Sequence, residues 1–444
     1  MLLDPLYLVA FLAILPWVAW RKWSGRRPVA APWERFLGSG PEFGETARPR
    51  LWLHGVSVGE VQLLSALERE IVARAEAAGR PVEIVVSSST TTGLELAARR
   101  FGADRVFPCP LDFSWAVRRT FDRVRPALLV LGELELWPNL LATARDRGVP
   151  VVVANGRLSE RSARGYARLA PLVRRMLSGV SLVSARSAGD AARFRALGAA
   201  HVVDAGSMKF DGVRGDRAAD DVRRLARLAG FADDDVVFIA GSTQAPEERL
   251  AIDAFLACRD AHPRLRLVIV PRHVERADEI AALLDATGVA WERRSRLDGA
   301  TPPSPDRRVL LVDTTGELGC WWGTARIAFV GGSLDGKRGG QNMLEPAAYG
   351  AAVCFGPWTR NFADEVAVLL AADAARVVDD GPSLTAFVRG CLDDRGAAEA
   401  LGARAAATVE AHRGATAATA DRILAALDGR SPDGAGCRPG GGPR

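Results

Sequence analysis

The sequence predicts an α/β protein made of two doubly wound domains, and three observations predict it. Short apolar runs alternate with longer helical patterns, which argues for parallel sheets flanked by helices. The runs fall into two series of similar length, parted by the polar segment 210–230, FDGVRGDRAADDVRRLARLAG. The chain has 444 residues, 48% of them hydrophobic and 25% charged, enough to bury two cores of ordinary domain size.

The elements follow in order. The N-terminal stretch MLLDPLYLVAFLAILPWVAWRKWSGRR is apolar from Leu6 to Trp20 and then basic, through Arg21, Lys22, Arg26 and Arg27. A secretory signal would carry its charge ahead of the apolar core. Trp17, Trp20 and Trp23 stand where an interfacial aromatic belt would. Residues 1–27 therefore read as an uncleaved membrane anchor, single-pass or monotopic, with its basic end in the cytoplasm. The apolar run lies near the lower limit of roughly 17 residues for a span. Residues 28–50, rich in Pro and Gly, read as a linker. The first domain, 51–210, is expected to place strands at 51–56, 82–88, 128–131, 149–154, 182–183 and 202–204. The second, 211–428, places them at 236–240, 265–270, 309–312, 327–330, 353–355 and 377–378, with the hinge in 210–230. The tail 429–444, GRSPDGAGCRPGGGPR, is too poor in apolar residues to fold.

Charge and cysteine usage narrow the function classes. The formal net charge is +5, and the basic side is almost all arginine, with only Lys22, Lys209 and Lys337 as lysines. Planar guanidinium groups suit phosphate, so an anionic partner fits. Six cysteines without a CxxC, and five histidines, argue against a zinc cluster and a disulfide framework. Scattered cysteines fit a reducing compartment.

In open α/β sheets ligands bind beyond the carboxyl ends of strands, so residues that follow a strand deserve scrutiny. In LWLHGVSVGEVQLLSAL, residues 51–67, Glu60 follows a strand and opens a helix. A carboxylate there either caps the helix or serves as a general base at the mouth of a cleft. In VLGELELWPNLL, residues 130–141, Glu133 and Glu135 straddle Leu134 and point the same way in extended chain. They either cap the following helix or meet cations or sugar hydroxyls. Residues 155–175 carry Arg157, Arg161, Arg164, Arg168 and Arg175 at spacings that form one basic stripe if the segment is a single helix. That stripe is either a solvated face or a surface for lipid phosphates.

The second half is richer in ligand signals. FIAGSTQAPEERL, residues 238–250, runs strand, Gly-Ser-Thr turn, helix. LVIVPRHVER, residues 267–276, ends a strand with Arg272 and His273. IAFVGGSLDGKRGGQNMLEPAAYG, residues 327–350, opens a strand into a glycine loop before a helix expected near Asn342. Backbone N–H groups in such a loop form an anion site. Glu345 could accept from a ribose diol. The loop nearly spells a P-loop, but Arg338 stands where Ser or Thr would bind magnesium. No dinucleotide fingerprint follows a strand.

Taken together, these segments resemble the 3-deoxy-D-manno-octulosonic acid (Kdo) transferases of Gram-negative bacteria. The matching pieces stand in family order: LHGVSVGE, TTTGLE, ELELWPN, NGRLSERS, KFD, GSTQAPEE, PRHVER, DTTGEL, FVGGSL and GGQNMLEP. The resemblance covers roughly residues 50–395 and the N-terminal anchor. It implies a GT-B glycosyltransferase, two Rossmann-like domains facing across a cleft, at the cytoplasmic face of the inner membrane. It implies inverting transfer of Kdo from CMP-Kdo to a lipid A precursor of the lipid IVA type, with no metal and no cofactor beyond the donor. No nucleic-acid partner is expected. By the same resemblance Glu60 is the general base. Glu133, Glu135, Arg157 and Ser159 fall on the acceptor side. Lys209, Ser242, Arg272, His273, Gly332, Ser333, Gln341, Asn342 and Glu345 fall in the donor site. The chain departs from the family pattern in four places. Gln244 and Gln341 stand where the family usually has His, Ser207 where it has Asn, and Leu134 where it has Thr. The alternatives are a GT-B transferase using another nucleotide sugar on a membrane lipid, and a non-catalytic membrane-anchored binding protein.

Overall fold

The structure is a computed structural model describing residues 4–23, 31–299, 304 and 306–430. It divides into two compact units. The first runs to Gly212 and resumes at Arg413, and the second is Val213–His412.

The first unit holds a seven-stranded parallel sheet: β1 (Arg50–His54), β2 (Glu83–Ser88), β3 (Val106–Pro108), β4 (Leu128–Gly132), β5 (Val151–Gly156), β6 (Leu182–Ala185) and β7 (Val202–Asp204). Their spatial order is β3-β2-β1-β4-β5-β6-β7. Both faces are covered, so the central strands are apolar throughout. Alternate residues feed two cores: Trp52, Leu129, Leu131 and Val153 on one face, and Leu51, Leu53, Val130 and Val152 on the other. The winding reverses where β1 lies beside β4, which opens a crevice at the carboxyl ends of those two strands.

The second unit repeats the plan with β8 (Val236–Thr243), β9 (Leu265–Pro271), β10 (Trp291–Arg293), β11 (Val309–Leu311), β12 (Ile327–Val330), β13 (Ala352–Phe355) and β14 (Arg376–Val377). The order is β10-β11-β9-β8-β12-β13-β14, all parallel. Here the reversal falls between β8 and β12. The ladder of β8 with β9 shifts register between Gly241 and Thr243, at Ser242, whose φ is +54°.

Several expectations change. The strands β3 and β10, three residues each, lack an apolar run long enough to stand out. The expected linker contains the helix Pro32–Leu37, and Phe43 is buried against Phe107. The first unit also claims the last helix, Ala415–Leu427, which the sequence assigned to the second domain. Its Ala420 and Ile423 join the core of Leu64, Leu67 and Ile71. The basic stripe is broken: Glu160–Ala167 and Ala170–Leu177 are separate helices, and Arg157 precedes both. Residues 431–444 of the tail expected not to fold lie outside the described residues.

The N-terminal helix, Asp4–Trp23, rests on the first unit. Its Asp4 carboxylate accepts from the Ser114 N–H at 2.9 Å and from Ser114 Oγ at 2.6 Å. Phe11 stacks on Phe36 at 4.7 Å. Among the described residues no helix is long and apolar enough to cross a membrane.

Candidate active site

In the first unit, the crevice between β1 and β4 gathers three carboxylates. Glu60 sits in the first turn of the helix Val58–Ala77, capped by Ser57. Ser57 Oγ accepts from the Glu60 N–H at 3.2 Å and donates to Oε1 at 2.8 Å, while the Val56 N–H donates to Oε2 at 2.9 Å. Ser57 thus caps the helix, and the Glu60 carboxylate reaches back to the Ser57 hydroxyl and to the N–H ahead of the cap, so the helix-cap reading of Glu60 holds. The same bonds aim a half-buried carboxylate across the crevice. A Cβ on Gly132 would stand 3.5 Å from Glu60 Oε2 and 3.2 Å from the His54 carbonyl, so glycine keeps β4 close to it.

The residue after Gly132 is Glu133, held at φ +52°. Burial pushes its carboxyl above the usual range, and Glu60 adds to the rise against Lys209, Arg157 and Arg186. Burial also raises Glu135, as do Glu60 and Glu133, while the Trp137 indole N–H, 2.8 Å from Oε2, opposes it. Two acids that resist ionisation beside a third suit proton handling and sugar hydroxyls. Lys209, which the resemblance grouped with the donor side, belongs to the first unit and acts on Glu133. Ser159 caps the helix Glu160–Ala167, its Oγ accepting from the Ser162 N–H at 3.2 Å.

His54 was missed in the sequence, although it ends β1 one residue before the glycine. It has no exposed surface. Its Nδ1 lies 2.9 Å from Ser87 Oγ, and its Nε2 lies 3.9 Å from Glu135 Oε2. Asn155 was missed too. At φ +54° it turns the end of β5, and its Oδ1 accepts from the Met208 N–H at 3.1 Å, tying the Lys209 segment to the sheet.

In the second unit, the crevice between β8 and β12 gathers the other candidates. Gln244 and Gln341 both approach Gly332: a Cβ there would lie 3.4 Å and 3.3 Å from their Nε2 atoms. Asn342 Nδ2 donates to Glu345 Oε1 at 3.2 Å. Burial raises Glu345, opposed by Asn342, the Trp322 indole and Arg272. Arg272 is exposed and its N–H donates to the Thr243 carbonyl at 2.9 Å. His273 is exposed beside it.

The glycine turn differs from expectation. The N–H groups of Gly332, Ser333 and Leu334, offered by the sequence as an anion site, all donate to Glu247. The Ser333 hydroxyl is also engaged: it donates to the Val330 carbonyl at 2.7 Å and accepts from the Gly356 N–H at 2.8 Å. From the sequence, Glu247 has no role beyond its place in the helix after the Gly-Ser-Thr turn. Among the described residues no group of three or more His, Cys, Asp or Glu is set to hold a metal ion.

Comparison with known proteins identifies relatives of the chain. A family model described as 3-deoxy-D-manno-octulosonic-acid transferase (kdotransferase) matches residues 31–212. A 3-deoxy-D-manno-octulosonic acid transferase of Bordetella pertussis is 34% identical over 94% of this chain and 98% of its own. One of Haemophilus influenzae is 32% identical over 82% and 84%. Among solved structures, a UDP-GlcNAc 2-epimerase of Neisseria meningitidis bound to UDP-GlcNAc matches 86% of this chain and 100% of its own. Its TM-score is 0.56 at 10% identity, a likeness of fold.

Proposed function

Because the chain belongs to the Kdo transferase family, a family of glycosyltransferases, we propose that it moves Kdo from CMP-Kdo to a hydroxyl of a lipid A precursor. The two units are the halves of a GT-B enzyme, acceptor side first and donor side second. The observation that carries the reading is the convergence of Glu60, Glu133 and Glu135 where β1 meets β4.

An alcohol is a weak nucleophile, so transfer needs a base. Glu60 takes the hydroxyl proton as the oxygen attacks the anomeric carbon of Kdo. The bond from that carbon to the CMP phosphate breaks with inversion, and CMP leaves with the electron pair. Glu133 and Glu135, pushed toward their neutral forms by burial and by Glu60, hold acceptor hydroxyls. Arg157 and Lys209 offset the charge around Glu133. In the second unit Arg272, Asn342 and Glu345 face the nucleotide, with Gln244 and Gln341 beside Gly332. His273 and Ser242 flank that crevice. Arginine supplies countercharge for the leaving phosphate, and no metal is called for.

The test is incubation of the full chain with a CMP-Kdo generating system and a lipid A precursor, read by product mass. Glu60→Gln is expected to lower transfer by about 10²–10⁴ while CMP binding is unchanged. Loss of both together would assign Glu60 to folding alone. The carboxamides of Gln244 and Gln341, at positions where imidazoles are usual, favour one second reading: a different nucleotide sugar. Transfer from a UDP-sugar and none from CMP-Kdo would establish it.

A further inference from the structure

We propose that Glu247 is a built-in anion that fills the amide nest of the second unit and thereby sets the geometry of the donor site. This rests on reading that unit as the donor side. Glu247 is 2% exposed. Its Oε2 accepts from the N–H of Gln244 at 2.9 Å and of Gly332 at 2.7 Å. Its Oε1 accepts from Ser333 at 2.9 Å and Leu334 at 3.1 Å. Four backbone donors thus meet two oxygens, the arrangement that a glycine loop otherwise offers to a phosphate.

The side chain also joins the two strand ends of the crevice. One oxygen, Oε2, holds the turn after β8 through Gln244 and the turn after β12 through Gly332. Gln341 is tied to the same turn through the preceding Gly340, whose N–H donates to the Gly332 carbonyl at 2.8 Å, so the shared oxygen bears on the placement of both carboxamides. The glycines fit this purpose. A Cβ on Gly331 would lie 2.6 Å from Oε2, and Gly332 takes φ +67°. Since the nest is occupied, those four N–H groups are not the ones that receive the donor phosphate. Glu247 acts through the turns it holds, so it is a positioning residue.

The prediction separates nest from donor site. In Glu247→Ala the empty nest gains affinity for inorganic phosphate over the wild type, measured by calorimetry. In Glu247→Gln the carboxamide sets an N–H₂ against backbone donors, the turns part, and CMP affinity falls by at least about tenfold. The donor KM rises in step, while kcat at saturating donor stays within about threefold, since the reacting groups of the first unit are untouched. Acetate added to Glu247→Ala refills the nest and restores CMP affinity, which a merely misfolded variant would not show. Unchanged CMP affinity in both variants overturns the proposal. So does a loss that acetate leaves in place in a variant melting as the wild type does. Should the wild type bind no CMP, the donor reading fails, and phosphate uptake by Glu247→Ala still decides whether Glu247 fills the nest.

Discussion

His54 shows how one buried side chain sets acid sensitivity. Burial lowers its imidazole to about 4 from the ordinary 6.5, with the Ser87 carbonyl pulling the other way. Between those pH values the unfolded chain binds a proton that the folded chain refuses. Its stability contribution is therefore complete above about 6.5 and is lost as pH falls toward 4. At 1.36 kcal/mol per pH unit the loss reaches about 3 kcal/mol. Asp112 acts in the opposite sense. Burial raises it to about 6, outweighing the Asn139 and Leu140 N–H groups. Its contribution is complete below its ordinary value of 3.8 and disappears as pH rises through 6. Comparing wild type with His54→Gln cancels Asp112 and the other carboxylates. The Tm of the wild type should drop further than that of His54→Gln between pH 7 and pH 4.5. Equal drops would place the acid-sensitive group elsewhere.

At the scale of elements, the last helix decides whether the first unit stands. Asp211 accepts from the N–H groups of Gly414 and Thr416, each at 2.6 Å, just before and at the start of Ala415–Leu427. Arg74 pairs with Asp421 at 2.8 Å, and Ile423 is fully buried. Removing one such side chain, Ile423→Ala, costs about 2–4 kcal/mol. Deleting residues 413–444 removes the whole face, so the first unit should be cut rapidly by protease while deletion of 431–444 leaves it resistant. Equal resistance would show that the helix is dispensable. The sequence could not reveal this return. The helix is amphipathic wherever it packs, and nothing in ATAATADRILAAL says which sheet it covers. The strands were legible because β4 and β12 are buried on both faces and read as unbroken apolar runs. Glu60 was legible because it opens the helix after a strand, and Glu133 and Glu135 because they come within three residues of the end of β4. Glu247 was not, since three of its four partners are backbone N–H groups 85 residues or more away, and backbone leaves no mark in sequence. His54 escaped because a buried histidine looks like any polar residue at a strand end.

For the whole molecule the open matter is how it meets the membrane that its proposed lipid acceptor requires. A spanning helix would have to leave the first unit. Asp4 would then lose Ser114 and the 3.2 Å bond from Asn139 Nδ2, and the Tyr7 hydroxyl would lose Asp112 at 3.2 Å. These bonds fix the first turns of Asp4–Trp23 against the domain and leave the other side bare: Leu6 is 65%, Val9 67% and Leu12 55% exposed, with Trp33 beside Phe11 at 61%. An apolar helix face on a chain of net charge +5 suits a layer of anionic headgroups, with the helix lying in the interface. The protein should therefore float with vesicles containing phosphatidylglycerol, and Val9→Glu with Leu12→Glu should abolish flotation without lowering Tm. The mode of attachment separates the two arrangements that the sequence left open. A helix lying in the interface is released from native membranes by alkaline carbonate, because its hold is apolar area on one face plus salt-screened charge. A helix that spans stays in the pellet. Retention after carbonate would mean that the Asp4 and Tyr7 bonds are given up in the membrane.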